Sequence, residues 1–196
     1  MRKIMFNEHF GLQQSVLDGT KDMTRRVIKG DYVEVGHSEQ DGSFIGKTAS
    51  GDSVVLPRPA YNVGEEVAIA QSYETIGLTF ISPPDTQWGC TYEMPGYSNK
   101  MFVRADLMPH SISITATKLE RLQDISDEDC LREGIHEGEF MNTWDRYYFD
   151  EWGDVPNHIT FKTPREAFAA LIDRISGKGT WQRNPWVYAY EFELLK

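Results

Sequence analysis

The stretch Leu17-Asp18-Gly19-Thr20-Lys21-Asp22-Met23-Thr24-Arg25-Arg26-Val27-Ile28 organises the reading of this chain. It contains the end of a helix, a glycine stop, a cluster of Lys21, Thr24, Arg25 and Arg26, and then an apolar run. Upstream, Asn7 reads as an N-cap with Glu8 in the first turn, and Phe10, Val16 and Leu17 supply an apolar stripe. Gly19 is a natural C′ residue, because a left-handed backbone there costs a glycine nothing. A strand follows from about Met23 to Ile28. A hydroxyl and several cations beside such a turn can grip a phosphate or a carbonyl, or activate a nucleophile.

Working outward, residues 3–6 read as a short first strand. The segment from Tyr32 to Leu56 alternates weakly, and Asp41-Gly42 predicts a hairpin turn within it. Val63-Gly64-Glu65-Glu66 reads as a turn feeding a strand from Val67 to Tyr73. Residues 77–100 are irregular, with Trp88, Tyr92 and Tyr97 among prolines and glycines, and form a long loop insertion. The alternation of Ile112, Ile114 and Ala116 against Ser111, Ser113 and Thr115 predicts a half-buried strand from Ser111 to Leu119. Ser126 as N-cap with Asp129 at N3 opens a helix that stops at Gly134. Glu133 ends that helix, where an acid opposes the macrodipole, so another interaction is expected to hold it there.

Residues 136–163 are rich in aromatics (Phe140, Trp144, Tyr147, Tyr148, Phe149, Trp152), a pattern that packs cores more often than it binds ligands. Thr163-Pro164-Arg165-Glu166 opens a second helix, with Thr163 as N-cap and Pro164 at N1. Its apolar face is Ala167, Phe168, Leu171, Ile172 and Ile175, and Gly177 ends it. A last strand runs from Trp186 to Leu195. No internal repeat is visible, so residues 1–196 read as a single α+β domain.

The composition is that of an ordinary globular chain, with 40% hydrophobic and 26% charged residues. A formal net charge of −10 argues against broad, non-specific binding to nucleic acid. The dense basic run is local: Lys21, Arg25, Arg26 and Lys29. Cys90 and Cys130 are far apart, with no CxxC pair and no histidine spaced for zinc. A reducing cytoplasm is therefore expected, with no metal and no cofactor. No apolar run reads as a signal peptide or a membrane span.

Several segments, in order, resemble the ASCH domain, a branch of the PUA-like superfamily. They are Asp18-Gly19-Thr20-Lys21-Asp22-Met23-Thr24-Arg25-Arg26, Val63-Gly64-Glu65-Glu66-Val67 and Ser113-Ile114-Thr115-Ala116-Thr117. The likeness continues through Leu119-Glu120-Arg121-Leu122-Gln123-Asp124-Ile125-Ser126, Arg132-Glu133-Gly134-Ile135 and Asn184-Pro185-Trp186-Val187. It is closest to the larger bacterial and phage members. The resemblance implies a small, partly open mixed β-barrel with packed helices, and a cleft that binds RNA, a nucleotide or a modified nucleoside.

One small bacterial member hydrolyses the acetyl amide of N4-acetylcytidine with a lysine, a threonine and a glutamate. Its Gly-x-Lys-x-x-Thr-x-Arg segment is matched by Gly19, Lys21, Thr24 and Arg26, and Glu133 is the best counterpart of the glutamate, with Glu128 the alternative. Many larger members carry Arg-Glu-Thr-Trp where this chain has Ala70-Gln71-Ser72-Tyr73, so a carboxylate becomes the neutral Gln71.

The chemistry of these residues would support Thr24 as nucleophile, Lys21 as its base, Glu133 as orienting or proton-passing group and Arg26 on the oxyanion or a ligand oxygen. Arg25, Arg26, Gln71, Tyr73, Lys100 and His110 are the candidate ligand contacts. On the residues alone, the basic cluster reads better as a solvated turn, with Glu133 as a structural partner. A binding module without chemistry is the competing class: Arg25, Arg26 and Lys29 on phosphates, with Tyr73, Trp88 or Tyr97 stacking on an unpaired base. A phage or mobile-element accessory protein acting through protein contacts is a third reading. Oligomeric state is not legible.

Overall fold

A computed structural model of the chain describes residues 1–37, 43–81, 89–138, 146–152 and 157–195. The expected turn at Asp41-Gly42 lies outside the described residues, as do Trp88, Phe140 and Trp144. The fold is mixed α+β.

Its centre is a five-stranded sheet built from β1 (Arg2–Ile4), β2 (Met23–Val27), β6 (Glu66–Ile69), β9 (Ser111–Arg121) and β13 (Trp186–Leu195). The strand order is β1-β6-β9-β13-β2. β1 pairs parallel with β6, and the other pairings are antiparallel. Two three-stranded sheets flank it. One is β3 (Tyr32–His37), β4 (Phe44–Thr48) and β5 (Ser53–Val55); the other is β10 (His136–Glu137), β11 (Tyr147–Glu151) and β12 (Asn157–Phe161). β7 (Phe80–Ile81) and β8 (Gly89–Cys90) form a short pair. The α-helices are α1 (Leu12–Leu17), α2 (Asp127–Arg132), α3 (Pro164–Ser176) and α4 (Thr180–Arg183).

The long strands form where the sequence alternates or is continuously apolar. β13 is covered on both faces, with Val187, Tyr188, Ala189 and Tyr190 all buried, as befits a central strand. The Tyr188 hydroxyl donates to the Pro57 carbonyl at 2.8 Å, and the Tyr190 hydroxyl accepts from the Ala60 amide at 2.8 Å. α3 is opened by Thr163, whose Oγ1 accepts from Glu166 N, and it buries Ala167, Phe168, Leu171 and Ile172. α2 is opened by Ser126, whose Oγ accepts from Asp129 N at 3.0 Å.

Two expectations change. The first helix begins at Leu12 rather than near Asn7, because Gly11 takes a left-handed φ of 66° and turns the chain there. A side chain at that position would also crowd Trp152 Nε1. The strand expected to reach Tyr73 stops at Ile69; Ala70–Ser72 leave the sheet and residues 73–77 turn. No closed barrel forms among the described residues: β1 and β2 stay the two edges of the central sheet. These edges are bridged by a side chain, where Arg26 Nη2 donates to the Met5 carbonyl at 2.8 Å.

Candidate functional site

The gap between the β1 and β2 edges is a cavity of about 510 Å³, within the range of small-molecule sites. Its polar side carries Lys21, Thr24, Arg26, Lys100 and Glu133. Its apolar side is Phe168, Leu171, Ile172 and Ile175 of α3, and residues Met5–His9 form another wall. The anchoring sequence stretch therefore lines the cavity, as does the one face of α3 that the period of 3.6 residues singled out.

Gly19, with φ of 75°, ends α1 and directs the chain into β2. The turn delivers Lys21 into the interior, where its side chain is 2% exposed. Lys21 Nζ donates to the Met23 carbonyl at 2.7 Å, to the Glu133 carbonyl at 2.6 Å and to Glu133 Oε2 at 2.8 Å. All three ammonium hydrogens are thus used. Burial lowers the Lys21 pKa from its ordinary value; the Glu133 carboxylate works against this, and the Arg26 and Arg25 charges reinforce it.

Glu133 is the C-cap of α2, and Gly134 follows with φ of 99°. The acid placed against the helix dipole is accounted for. One carboxylate oxygen binds Lys21, and the other accepts from Arg25 Nη1 at 3.2 Å. Both Lys21 and Arg25 come from the turn and strand that α2 packs against.

Arg25 also lines the cavity, but its donors are committed to protein groups. Its side chain is 1% exposed. Nε donates to Glu120 Oε1 at 2.9 Å, Nη2 to Asp129 Oδ2 at 2.8 Å, and Nη1 to Glu133 and to Met23 Sδ. Alternation along β2 turns it toward β9 and α2, and three carboxylates consume its donors. Arg26, the next residue along, lies over the Phe6 ring at 5.9 Å, and its buried Nε has no partner among the described residues. Thr24 is 5% exposed, and its hydroxyl likewise has no hydrogen-bond partner there.

Lys100 lines the cavity, donating to the Phe6 carbonyl and to Glu8 Oε1 at 3.2 Å. Gln71, Tyr73 and His110 are not among its lining residues. Tyr73 is 2% exposed in a separate apolar cluster with Ala70 and Val103, and its hydroxyl accepts from the Arg104 amide at 3.0 Å. That geometry leaves no ring face for a base. Gln71 is buried with Oε1 unpartnered among the described residues. His110 precedes β9, and its carbonyl accepts from Ile69 N. The α3 wall and the Met5–His9 segment were not anticipated as site residues. The α3 face reads as ordinary core from its period alone, and nothing in the 5–9 sequence marks a cavity wall.

Among the described residues no group of three or more His, Cys, Asp or Glu is arranged to hold a metal ion, and no helix is long and apolar enough to cross a membrane.

No family model matches the chain, and no solved structure matches it. A probable 2,4-dienoyl-CoA reductase 3, (3E)-enoyl-CoA-producing, of Caenorhabditis elegans is 24% identical over 188 residues, covering 82% of this chain. The chain spans about 59% of that relative's length.

Proposed function

We propose that the chain is an ASCH-type, PUA-like protein whose β1–β2 cavity binds a nucleobase or nucleoside and hydrolyses an N-acyl amide on it. One observation carries the reading: the Thr24 hydroxyl, without a protein partner among the described residues, shares a small-molecule-sized cavity with a buried Lys21–Glu133 pair. The order of the family-like motifs along the chain supports the same reading.

In this mechanism Thr24 Oγ1 attacks the acyl carbon while neutral Lys21 takes the hydroxyl proton. Loss of its own proton leaves Lys21 two donors for its three present acceptors and frees a lone pair. Collapse of the tetrahedral intermediate breaks the C–N bond, and Lys21 returns the proton to the leaving amine. Water then cleaves the threonine ester, releasing the acid and restoring the hydroxyl. Arg26, which lines the cavity, stabilises the developing oxyanion by its charge. Glu133 holds Lys21 in place and receives or returns its proton between steps.

The test is incubation with N4-acetylcytidine, chromatography for cytidine, and calorimetry for binding, with Lys21→Ala and Thr24→Ala alongside. Cytidine release by the parent protein and not by Thr24→Ala supports the hydrolase. Binding without release turns the reading into a non-catalytic module. Neither binding nor release removes it.

The reductase activity named for the worm relative is not carried over. The central sheet is largely antiparallel, and the chain has no G-x-G-x-x-G fingerprint of a dinucleotide-binding turn.

A further inference from the structure

At the cavity lies a buried charge cluster that the proposed hydrolysis uses only through Glu133. Its centre is Arg25, drawn from β2. Glu120 of β9 is 4% exposed at its side chain, Glu133 6% and Asp129 25%, and all three bind the same guanidinium. Lys118 Nζ meets the far oxygen of Glu120 at 2.6 Å, and Arg132 Nη1 lies 3.7 Å from the far oxygen of Asp129. Lys21 itself is faced by Glu133 from the end of α2, by Arg25 and Arg26 from β2, and by the Phe6 ring at 6.0 Å.

A carboxylate with two oxygens can pivot about its χ angles, and one ammonium does not fix it. Glu133 is held at both ends, with Oε2 on Lys21 and Oε1 on Arg25. The planar fork of Arg25 is itself locked by Glu120 and Asp129 on its remaining sides, so it cannot follow Glu133 away. The chain from β9 through Arg25 to Glu133 to Lys21 thus transmits the rigidity of the longest strands of the central sheet to the amine.

We propose that Arg25 is a positioning residue of the site: by holding Oε1 of Glu133 against the β9–α2 cluster, it keeps Oε2 on Lys21. This rests on the reading of Lys21 and Glu133 as the working pair. Arg25 touches no substrate atom in this role. Two influences on Lys21 then separate: loss of the Arg25 charge alone favours the ammonium, whereas release of Glu133, the stronger influence, favours the neutral amine.

The experiment compares the parent protein with Arg25→Gln and Arg25→Lys. The first readout is the NMR titration of the Lys21 side chain, assigned with Lys21→Ala, which needs no turnover. The expected result is a midpoint moved to lower pH in Arg25→Gln, as Lys21 loses the Glu133 carboxylate, and moved less in Arg25→Lys. The second readout is the pH profile of N4-acetylcytidine hydrolysis. The acid limb of kcat moves the same way, and kcat falls at least tenfold with KM nearly unchanged.

A Lys21 midpoint unchanged or moved to higher pH in Arg25→Gln overturns the proposal, because Glu133 then stays on Lys21 without Arg25. If Arg25→Gln does not fold, Arg25→Lys decides. It keeps the charge but cannot span three carboxylates from one plane, so a titration and a kcat equal to those of the parent also overturn the proposal. If the parent shows no hydrolysis yet the midpoint moves to lower pH, the hydrolase reading falls, and Arg25 is confirmed as what positions the pair.

Discussion

At the scale of single residues, the decisive contact is the one between Lys21 and Glu133, 2.8 Å apart and nearly solvent-free. Removing one partner of a buried pair leaves the other charge uncompensated, a loss of about 3–5 kcal/mol. Glu133 serves two cations, so Glu133→Gln is expected at the upper part of that range in urea unfolding, and a change under about 1 kcal/mol would show the pair to be solvated. Lys21 gives a second prediction through pH. Its folded value lies below 10.5 because burial disfavours the ammonium. Between the folded value and 10.5 the unfolded chain binds more protons, so stability from this group rises with pH. The unfolding free energy of the parent minus that of Lys21→Met is therefore expected to grow as pH climbs toward 10.5 and to level off above it. A difference that shrinks over that range would mean that Glu133, not burial, dominates the lysine.

At the scale of elements, the short connection between α4 and β13 makes a prediction independent of the cavity. Asn184 sits in the left-handed region with φ of 46°, and its Oδ1 accepts from Gln123 N at 2.8 Å. Asn184→Ala loses that bond and adds backbone strain, about 2 kcal/mol together. Asn184→Gly removes the strain and keeps the loss of the bond, so it is expected to fall between alanine and the parent in a melting series. If the glycine variant is as unstable as alanine, backbone strain plays no part. The same scale shows what was legible in the sequence. Caps and stops announce themselves chemically, so Ser126, Thr163, Gly19, Gly134 and Gly177 stand where they were read. The apolar face of α3 was legible as a face, but not as the wall of a cavity, because period reports burial and not what lies opposite. Lys21, Thr24 and Glu133 come together at one cavity as the motif order implied. Arg25 lines the same cavity with its donors spent on carboxylates, and Tyr73 lies in a separate cluster; strand alternation and the early end of β6, both long-range outcomes, decide which way they point.

At the scale of the whole molecule, charge separates the two leading readings. The protein carries a formal −10, and the cations of its cavity are largely spent: Lys21 and Arg25 on carboxylates, Lys100 on Glu8. Arg26 has no ion pair among the described residues, and it faces the cavity. A site with about one uncommitted positive charge can neutralise about one phosphate. For a single-stranded oligonucleotide, the logarithm of affinity should then fall with the logarithm of salt at a slope of about −0.7, against about −3 or steeper for a strand tracked over several phosphates. Binding of an uncharged nucleoside should be nearly flat over the same salt range, since it releases no counterions. Titrations of both ligands from 50 to about 500 mM salt measure this directly. A shallow slope for the strand, with the nucleoside bound equally well, means that the cavity takes one base and the rest of the strand hangs in solvent. A steep slope means that a basic track exists outside the described cavity, and the molecule is then a strand-binding module whose acidic total conceals a local cationic face.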